Sequence, residues 1–145
     1  MVFIKRVYDV FKEAMKSTEG FHFKDGEEDK QYEVLYQIVD DTIPESISVC
    51  TYPSADDVKA LSNITMSEFI KIHIQVQCAG TEESAFRAIT FLRNLCPILE
   101  SIRGNKGNGL RILGIEHIGN RGLVINFNET GHIAVANYSV KYKLD

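Results

Sequence analysis

Residues 70–78, IKIHIQVQC, are the stretch with the most regular pattern in the chain. Apolar side chains alternate in it without exception with polar ones: Ile70, Ile72, Ile74, Val76 and Cys78 against Lys71, His73, Gln75 and Gln77. Successive side chains of a β-strand point to opposite faces of the sheet, so the pattern predicts a strand with one buried face. A strand of this kind is typical of antiparallel pairing. Its polar face is expected to be wet or to face a partner.

Two helices are predicted on either side of this strand. Residues 2–16 place apolar side chains at helical spacing with charged ones opposite, which is typical of a helix lying on a sheet. A second helix is expected to begin at Thr81, a capping residue followed by two acids in the first turn. Its apolar residues cover more than half of its girth, which predicts burial on two sides. Pro97 is expected to kink or end this helix, because proline removes a donor and clashes with the preceding turn.

The other strands are predicted from apolar and β-branched runs bounded by turn residues. These runs are 31–39, 47–52, 110–118, 123–127 and 133–143, with hairpin turns at 119–122 and 128–131. Residues 17–30, which contain the acidic run DGEED, and the polar residues 54–64 are predicted loops. The order predicts a single domain over residues 1–145. Its class is α+β, with two layers: a mostly antiparallel mixed sheet packed against an N-terminal helix and a central helix.

Composition places the chain among ordinary globular domains. Its 145 residues are 44% hydrophobic and 25% charged, which is enough for one core. The net charge of −4 argues against sequence-specific DNA binding, which normally places Lys and Arg on phosphates. No apolar run approaches the about 20 residues of a membrane span, and the N-terminus does not resemble a signal peptide, so we expect folding in the cytoplasm.

Residues that could carry chemistry are few and scattered. The histidines are His22, His73, His117 and His132, and the cysteines are Cys50, Cys78 and Cys96. They show no metal-binding spacing, and the cysteines lie in apolar segments, which is typical of buried free thiols. The glycine-rich run 104–109 follows a helix and precedes a strand, the reverse of a P-loop. A Cys–His nucleophile pair stays open, but we expect no enzymatic activity, no metal and no cofactor.

The order of elements along the chain points to a family. An amphipathic helix and a strand pair precede SEFIKIHIQVQC (67–78), TEESAFRAITFLRNLCPIL (81–99) and GLVINFNETGHIAVANYSVKYKLD (122–145). This series resembles the tail terminator proteins of long-tailed bacteriophages, a family also described as minor capsid or neck proteins. The resemblance implies a virion protein, assembled in the host cytoplasm, that closes as a hexameric ring on the tail tube. There it stops tube polymerisation and forms the joint to the head connector, without a catalytic residue.

The resemblance also implies the partners. They are further copies of this chain, the tail tube protein and the head completion or connector protein, while genomic DNA passes through the lumen without specific binding. The net negative charge would favour such passage. The candidate interface or lumen residues are Lys71, His73, Gln75, Gln77, Arg121 and Glu129. Plain solvent exposure is the alternative for the polar strand face. Alternative functions are another head–tail joining protein, a tail tube subunit, or a small cytosolic ligand-binding domain or enzyme.

Overall fold

The structure, a computed structural model, describes residues 2–25, 27–40, 42–53, 65–76, 81–102, 110–126 and 131–144. Its helices are α1 (Val2–Lys16) and α2 (Thr81–Glu100). Its strands are β1 (His22–Asp25), β2 (Glu28–Gln31), β3 (Glu33–Tyr36), β4 (Glu45–Pro53), β5 (Thr65–Val76), β6 (Leu110–Asn126) and β7 (His132–Leu144). The main sheet has the order β3-β4-β5-β7-β6, and β1 and β2 form a separate hairpin. β3 and β4 are parallel and the other pairs antiparallel, which confirms the predicted α+β class.

The predicted alternation in β5 is confirmed, and it defines a face of the main sheet that the helices cover. The buried side chains of β5 continue across the register into those of its neighbours β4 and β7. This helix-covered face includes eleven side chains with 0% exposure: Ile47, Val49, Ile70, Ile72, Ile74, Val76, Ala134, Ala136, Tyr138, Val140 and Tyr142. α2 contacts β5, β6 and β7, while α1 contacts β4 and α2. The core therefore lies between one face of the sheet and two helices.

The helix predicted over residues 2–16 from the spacing of apolar residues is confirmed as α1. Val7, Phe11 and Met15, each four residues apart, are fully buried. The helix ends at Lys16, where the hydroxyls of Ser17 and Thr18 donate to the Ala14 carbonyl oxygen at 3.0 and 2.7 Å. They satisfy a carbonyl group that the helix end leaves without its usual backbone donor.

Helix α2 is buried on two sides, as its composition predicts. One side contacts the sheet, and on another side the ring of Phe91 lies 4.9 Å from that of Tyr32. The helix does not end at Pro97 but continues to Glu100. Pro97 itself is exposed, whereas Leu99 is fully buried, so packing of the last turn offsets the hydrogen bond that proline removes.

The prediction of a loop over residues 17–30 is wrong. This segment contains the hairpin of β1 and β2, which is fixed at its base by two aromatic residues in the core, Phe21 and Tyr32. The Tyr32 amide donates to the Phe21 carbonyl oxygen at 3.2 Å, which closes the hairpin. Gly20, just before the hairpin, has φ +95°, a backbone conformation that residues with a side chain rarely adopt. The acidic run predicts a loop, whereas the aromatic residues on either side of it anchor the segment.

The predicted three-strand meander after residue 110 is also wrong. β6 is one strand of 17 residues paired with β7, and it contains two irregularities. Leu113 is an extra residue between paired Ile112 and Gly114, and the register shifts again between Ile118 and Leu123. Residues 119–122, with Gly119 at φ +72°, leave the ladder as their composition predicts. They rejoin the same strand rather than reverse the chain. The hairpin between β6 and β7 is confirmed, with residues 127–130 outside the described part.

The predicted strand over residues 31–39 is shorter, because Gln37 turns the chain with φ +61°. The side-chain amide of Gln37 then pairs with the backbone of Thr51: Nε2 donates to the carbonyl oxygen at 2.8 Å, and the Thr51 amide donates to Oε1 at 2.5 Å. This side chain extends the parallel ladder by one position in place of a peptide group. Because β3 and β4 are parallel, the connection between them, residues 37–44, must return along the length of β3. β3 has four residues, about 13 Å, so a short connection is enough. The predicted loop 54–64 lies outside the described residues.

Candidate assembly surface

The second face of the main sheet is not covered by the helices, and we call it the open face. Its members follow from the register, because paired residues share a face. Those described with side chains are Glu33, Leu35, Ser46, Ser48, Cys50, Ser67, Phe69, Lys71, His73, Gln75, Arg111, Glu116, Ile118, Ile133, Val135, Asn137, Ser139, Lys141 and Lys143. Many are half-buried, whereas the core members of the helix-covered face are fully buried. The exposed and half-buried members of the open face therefore form a surface that the fold leaves for contacts outside the chain.

Three of the predicted interface residues lie on the open face of β5. Lys71 is exposed and His73 is half-buried, so both are accessible as predicted. The expected accessibility of Gln75 is wrong, because it is only 1% exposed. Its Nε2 donates to the carbonyl oxygens of Ile43 at 2.8 Å and Asp40 at 3.4 Å. The connection between β3 and β4 thus covers this end of the open face, and Gln75 is used within the chain.

The other predicted interface residues are not brought together with these three in the described part. Arg121 belongs to β6 by its backbone, and its side chain lies outside what the structure describes. Gln77 and Glu129 lie outside the described residues altogether. Their proposed role in an interface stays a prediction.

The connection itself is fixed by a turn around Asp40. The amide and the hydroxyl of Thr42 both donate to Asp40 Oδ1, at 2.9 and 2.6 Å. These donors stabilise the charged carboxylate and lower the pKa of Asp40 below its usual range. The turn holds the neighbouring Ile38 and Val39 outward, with 56% and 51% of their surfaces exposed.

Ile38 and Val39 belong to a set of apolar side chains exposed in two separate places. β3 is one edge strand, and Ile38 and Val39 lie in the connection that follows it after Gln37. β6 is the opposite edge strand, and it exposes 43% of Leu113 and 39% of Ile118. The sequence reasoning missed both pairs, since it took each as part of a regular strand. The signal for Leu113 was its neighbour Gly114, since a glycine within a strand often marks a bulge.

The titratable groups at the centre of the open face are Cys50, Lys71 and His73. The register pairs Cys50 with Lys71 and Ser48 with His73. Burial raises the pKa of the Cys50 thiol, and the nearby Lys71 charge offsets only part of this. Burial and the same Lys71 charge lower the pKa of His73. A thiol with a raised pKa is a weaker nucleophile at neutral pH, so this arrangement does not activate Cys50.

His73 and Ser48 do not form a hydrogen-bonded pair. Nε2 of His73 and Oγ of Ser48 are both buried, and neither has a hydrogen-bond partner in the described part of the chain. A nucleophilic hydroxyl is normally recognised by a hydrogen bond to its base. Cys96 is the second described free cysteine, and it lies in the core on α2. The open Cys–His alternative therefore finds no activated pair among these residues.

No group of three or more His, Cys, Asp or Glu residues is placed to hold a metal ion within the described ranges. Neither α1 nor α2, the helices that the structure describes, has the length and apolar character of a transmembrane span. A shallow groove of about 290 Å³ runs between α2 and the β1–β2 hairpin, where Phe86 exposes 61% of its surface beside Phe23 and Phe91.

Known proteins do not extend this description. No protein-family model matches the sequence, and no curated protein sequence matches it.

Proposed function

We propose that this protein is a structural virion protein, a tail terminator that closes as a ring on the end of a phage tail tube. The resemblance in the order of elements supports the family. The observation that carries the proposal is the exposure of apolar side chains in two separate places, Ile38 and Val39 in the connection that follows edge strand β3, and Leu113 and Ile118 on the opposite edge strand β6. A head-to-tail ring needs two unlike patches on opposite sides of one subunit. These two edges lie about 19 Å apart, four strand spacings.

The strand directions agree with head-to-tail contact between the edges. β3 runs parallel to β4, and the three successive antiparallel pairs from β4 to β6 reverse the direction three times. β6 therefore runs opposite to β3. Copies placed side by side in the same orientation bring β6 of one against β3 of the next as an antiparallel pair, which is the slightly more stable arrangement.

The bulges in β6 bear on how such an assembly ends. A long, flat edge strand pairs without limit, and natural proteins restrict such pairing with bulges that twist the edge. Leu113 is an extra residue of this kind in β6. A bent edge favours a rotation between copies, and a constant rotation that closes gives a ring rather than an open fibre.

Electron microscopy of the purified chain, alone and added to tube-forming subunits from the same genome, tests the proposal. A terminator gives single rings and shortens or caps the tubes, whereas a tube subunit forms long tubes by itself. Small particles at all concentrations, together with an unchanged length distribution of the tubes, would sink the proposal. A small ligand-binding domain or enzyme would instead show a ligand-dependent rise in melting temperature.

Edge variants make the test specific to the surface. Replacing Leu113→Glu or Ile118→Glu introduces a charge at the β6 edge. An apolar side chain of this size contributes about 1.5–3 kcal/mol when buried. We expect ring formation to require at least about ten times more protein, measured by mass photometry. Phe86→Glu is the matched control, because Phe86 is more exposed than either residue but lies on α2. Equal loss in all three variants would contradict the edge assignment.

A further inference from the structure

The open face carries a group of positive charges that the net charge of the chain conceals. Lys71, Lys141 and Lys143 are exposed on it, and Arg111 is half-buried beside them. The register pairs Arg111 with Lys143, and Lys141 lies two residues along β7 on the same face. The chain as a whole has a net charge of −4. The described cations of the open face nevertheless outnumber its described acids, Glu33 and Glu116.

The spacing of these cations forms a line rather than a point. Paired residues on neighbouring strands have Cβ atoms about 5 Å apart, which applies to Arg111 and Lys143. Residues two apart on a strand are about 7 Å apart, which applies to Lys141 and Lys143. Lys71 is paired with Asn137, four residues from Lys141 along β7, and so lies about 14 Å further on. The line runs along β7, which lies between β5 and the edge strand β6.

No acid of the described residues neutralises these cations. The side chains of Arg111, Lys141 and Lys143 take part in no ion pair or hydrogen bond with that part of the chain. The Nε atom of Arg111 is buried there without an acceptor. Two acids share the open face in the described part, Glu33 and Glu116, and neither pairs with them.

The exposed acids concentrate in another layer of the molecule. Glu27, Glu28 and Asp29 are exposed on the β1–β2 hairpin, which packs against α2 on the helix side. A polyanion that approaches the open face therefore meets a row of cations that no described acid pairs with. Asp29 and Glu28 of the hairpin pair with Lys24 and Lys30, so the hairpin repels the same polyanion only weakly.

We propose that the open face binds the phosphodiester backbone of duplex DNA through Arg111, Lys141 and Lys143, with Lys71 at the end of the row. Contacts from Lys and Arg to phosphates carry no sequence information, so the binding is independent of sequence and sensitive to salt. The choice of DNA over another polyanion rests on the proposed function, in which DNA passes the ring. The charge row itself does not depend on ring formation.

The experiment is a salt titration of DNA binding. A fluorescein-labelled 30-base-pair duplex of random sequence is titrated with the full chain by anisotropy between 25 and 200 mM NaCl. Neutralising Z phosphates gives a logarithmic slope of about −0.9Z, so three to four contacts predict a slope of about −3. In Lys141→Gln/Lys143→Gln the slope should become less steep by about 2, and binding at the lowest salt should weaken at least about tenfold.

Two controls complete the titration. Lys5→Gln/Lys16→Gln removes the same charge from exposed positions of α1 and should leave the slope unchanged. Lys141→Arg/Lys143→Arg keeps the charge and should retain binding. Equal losses in the α1 and β7 variants, no binding at 25 mM NaCl, or tighter binding to duplex RNA of the same length would each overturn the proposal.

Failure of this inference is distinguishable from failure of the proposed function. If rings form and cap tubes but the duplex is not bound, the DNA contact is wrong and the terminator function stands. If the chain binds the duplex with the predicted slope but neither forms rings nor caps tubes, the open face is a DNA-binding surface of a protein with another function. Electron microscopy of Lys141→Gln/Lys143→Gln is the control for folding: if the variant forms rings, it has kept its fold.

Discussion

The two faces of the main sheet are built from the same strands but obey different constraints. On the helix-covered face of β5, Ile70, Ile72 and Ile74 are fully buried. On the open face of the same strand, Lys71 is exposed, His73 is half-buried and Gln75 is buried by the β3–β4 connection. Burial against the helices selects mainly apolar side chains, so this face determines the fold; the buried Glu68 accepts a hydrogen bond from the Tyr142 hydroxyl at 3.1 Å. The open face is less constrained, and the candidate contacts lie there.

A small domain can divide the residues of one strand between stability and assembly. A period of two assigns each residue of a strand to one task or the other, because neighbours point in opposite directions. A one-residue shift of register would exchange the two sets, so the pairing must be strongly specified. Paired Ile47 and Ile74, or Ile72 and Ala136, specify it through the core.

The largest expected effect is on the helix-covered face. Ile72→Ala removes a fully buried side chain and leaves a cavity, which should lower the free energy of unfolding by about 2–5 kcal/mol. Lys71→Ala, one residue away on the open face, should change it by less than about 0.5 kcal/mol. Urea denaturation followed by circular dichroism measures both. Similar losses in the two variants would show that the faces are not divided as described.

A smaller effect is expected at the edge of the open face, from Gln37→Ala. The variant removes both hydrogen bonds to the Thr51 backbone, and water reaches the exposed position, so the loss should be about 1–2 kcal/mol. Gln31→Ala, an exposed glutamine on β2, is the control and should be close to neutral. Amide exchange of Thr51 should also become faster in Gln37→Ala. Unchanged protection of that amide would contradict the role of the side chain in the ladder.

The elements that the sequence predicts well are those with one dominant periodic signal. α1, β5 and the start of α2 follow directly from the spacing of apolar residues. The β1–β2 hairpin and the continuous β6 could not be obtained this way. In the hairpin, two buried aromatic residues outweigh a polar composition, and in β6, glycines that suggest a reversal form an irregularity within one strand. Both depend on contacts between residues distant in sequence.

The candidate surface was predictable only in part for the same reason. Alternation in β5 places Lys71 and His73 on the open face, but it cannot show that Asp40 and Ile43 fold over Gln75. The row of Arg111, Lys141 and Lys143 can be recognised only from the register of β7 against β6, which the bulge at Leu113 shifts by one residue. No local pattern reveals that Arg111 and Lys143 are neighbours. The exposed edge residues likewise follow from the position of β3 and β6 in the sheet.

The next effect depends on pH and concerns His73. Burial lowers its folded-state pKa below the value in the unfolded chain, so the unfolded state binds the proton more readily as pH falls. The stability contributed by neutral His73 is therefore complete above the unfolded pKa of about 6.5 and declines as pH falls from there towards the folded pKa. Urea midpoints between pH 7.5 and 5 should fall less steeply in His73→Gln than in the original chain. Parallel curves of urea midpoint against pH for the two proteins would show that His73 does not contribute to the pH dependence of stability.

The smallest expected effect distinguishes the two causes of the lowered pKa of His73, which are burial and the charge of Lys71. Lys71 lies two residues from His73 on the same face, and its charge adds to burial in lowering the pKa of His73. In Lys71→Gln, burial is unchanged while the repulsion is gone, so the pKa of His73 should rise part of the way towards its usual value. The imidazole resonance of His73, followed by NMR against pH, reports this directly. Lys5→Gln on α1 is the control for a loss of charge elsewhere. A rise of the same size in both variants would mean that the open face has no local electrostatic character of its own, which would also weaken the case for a phosphate-binding row.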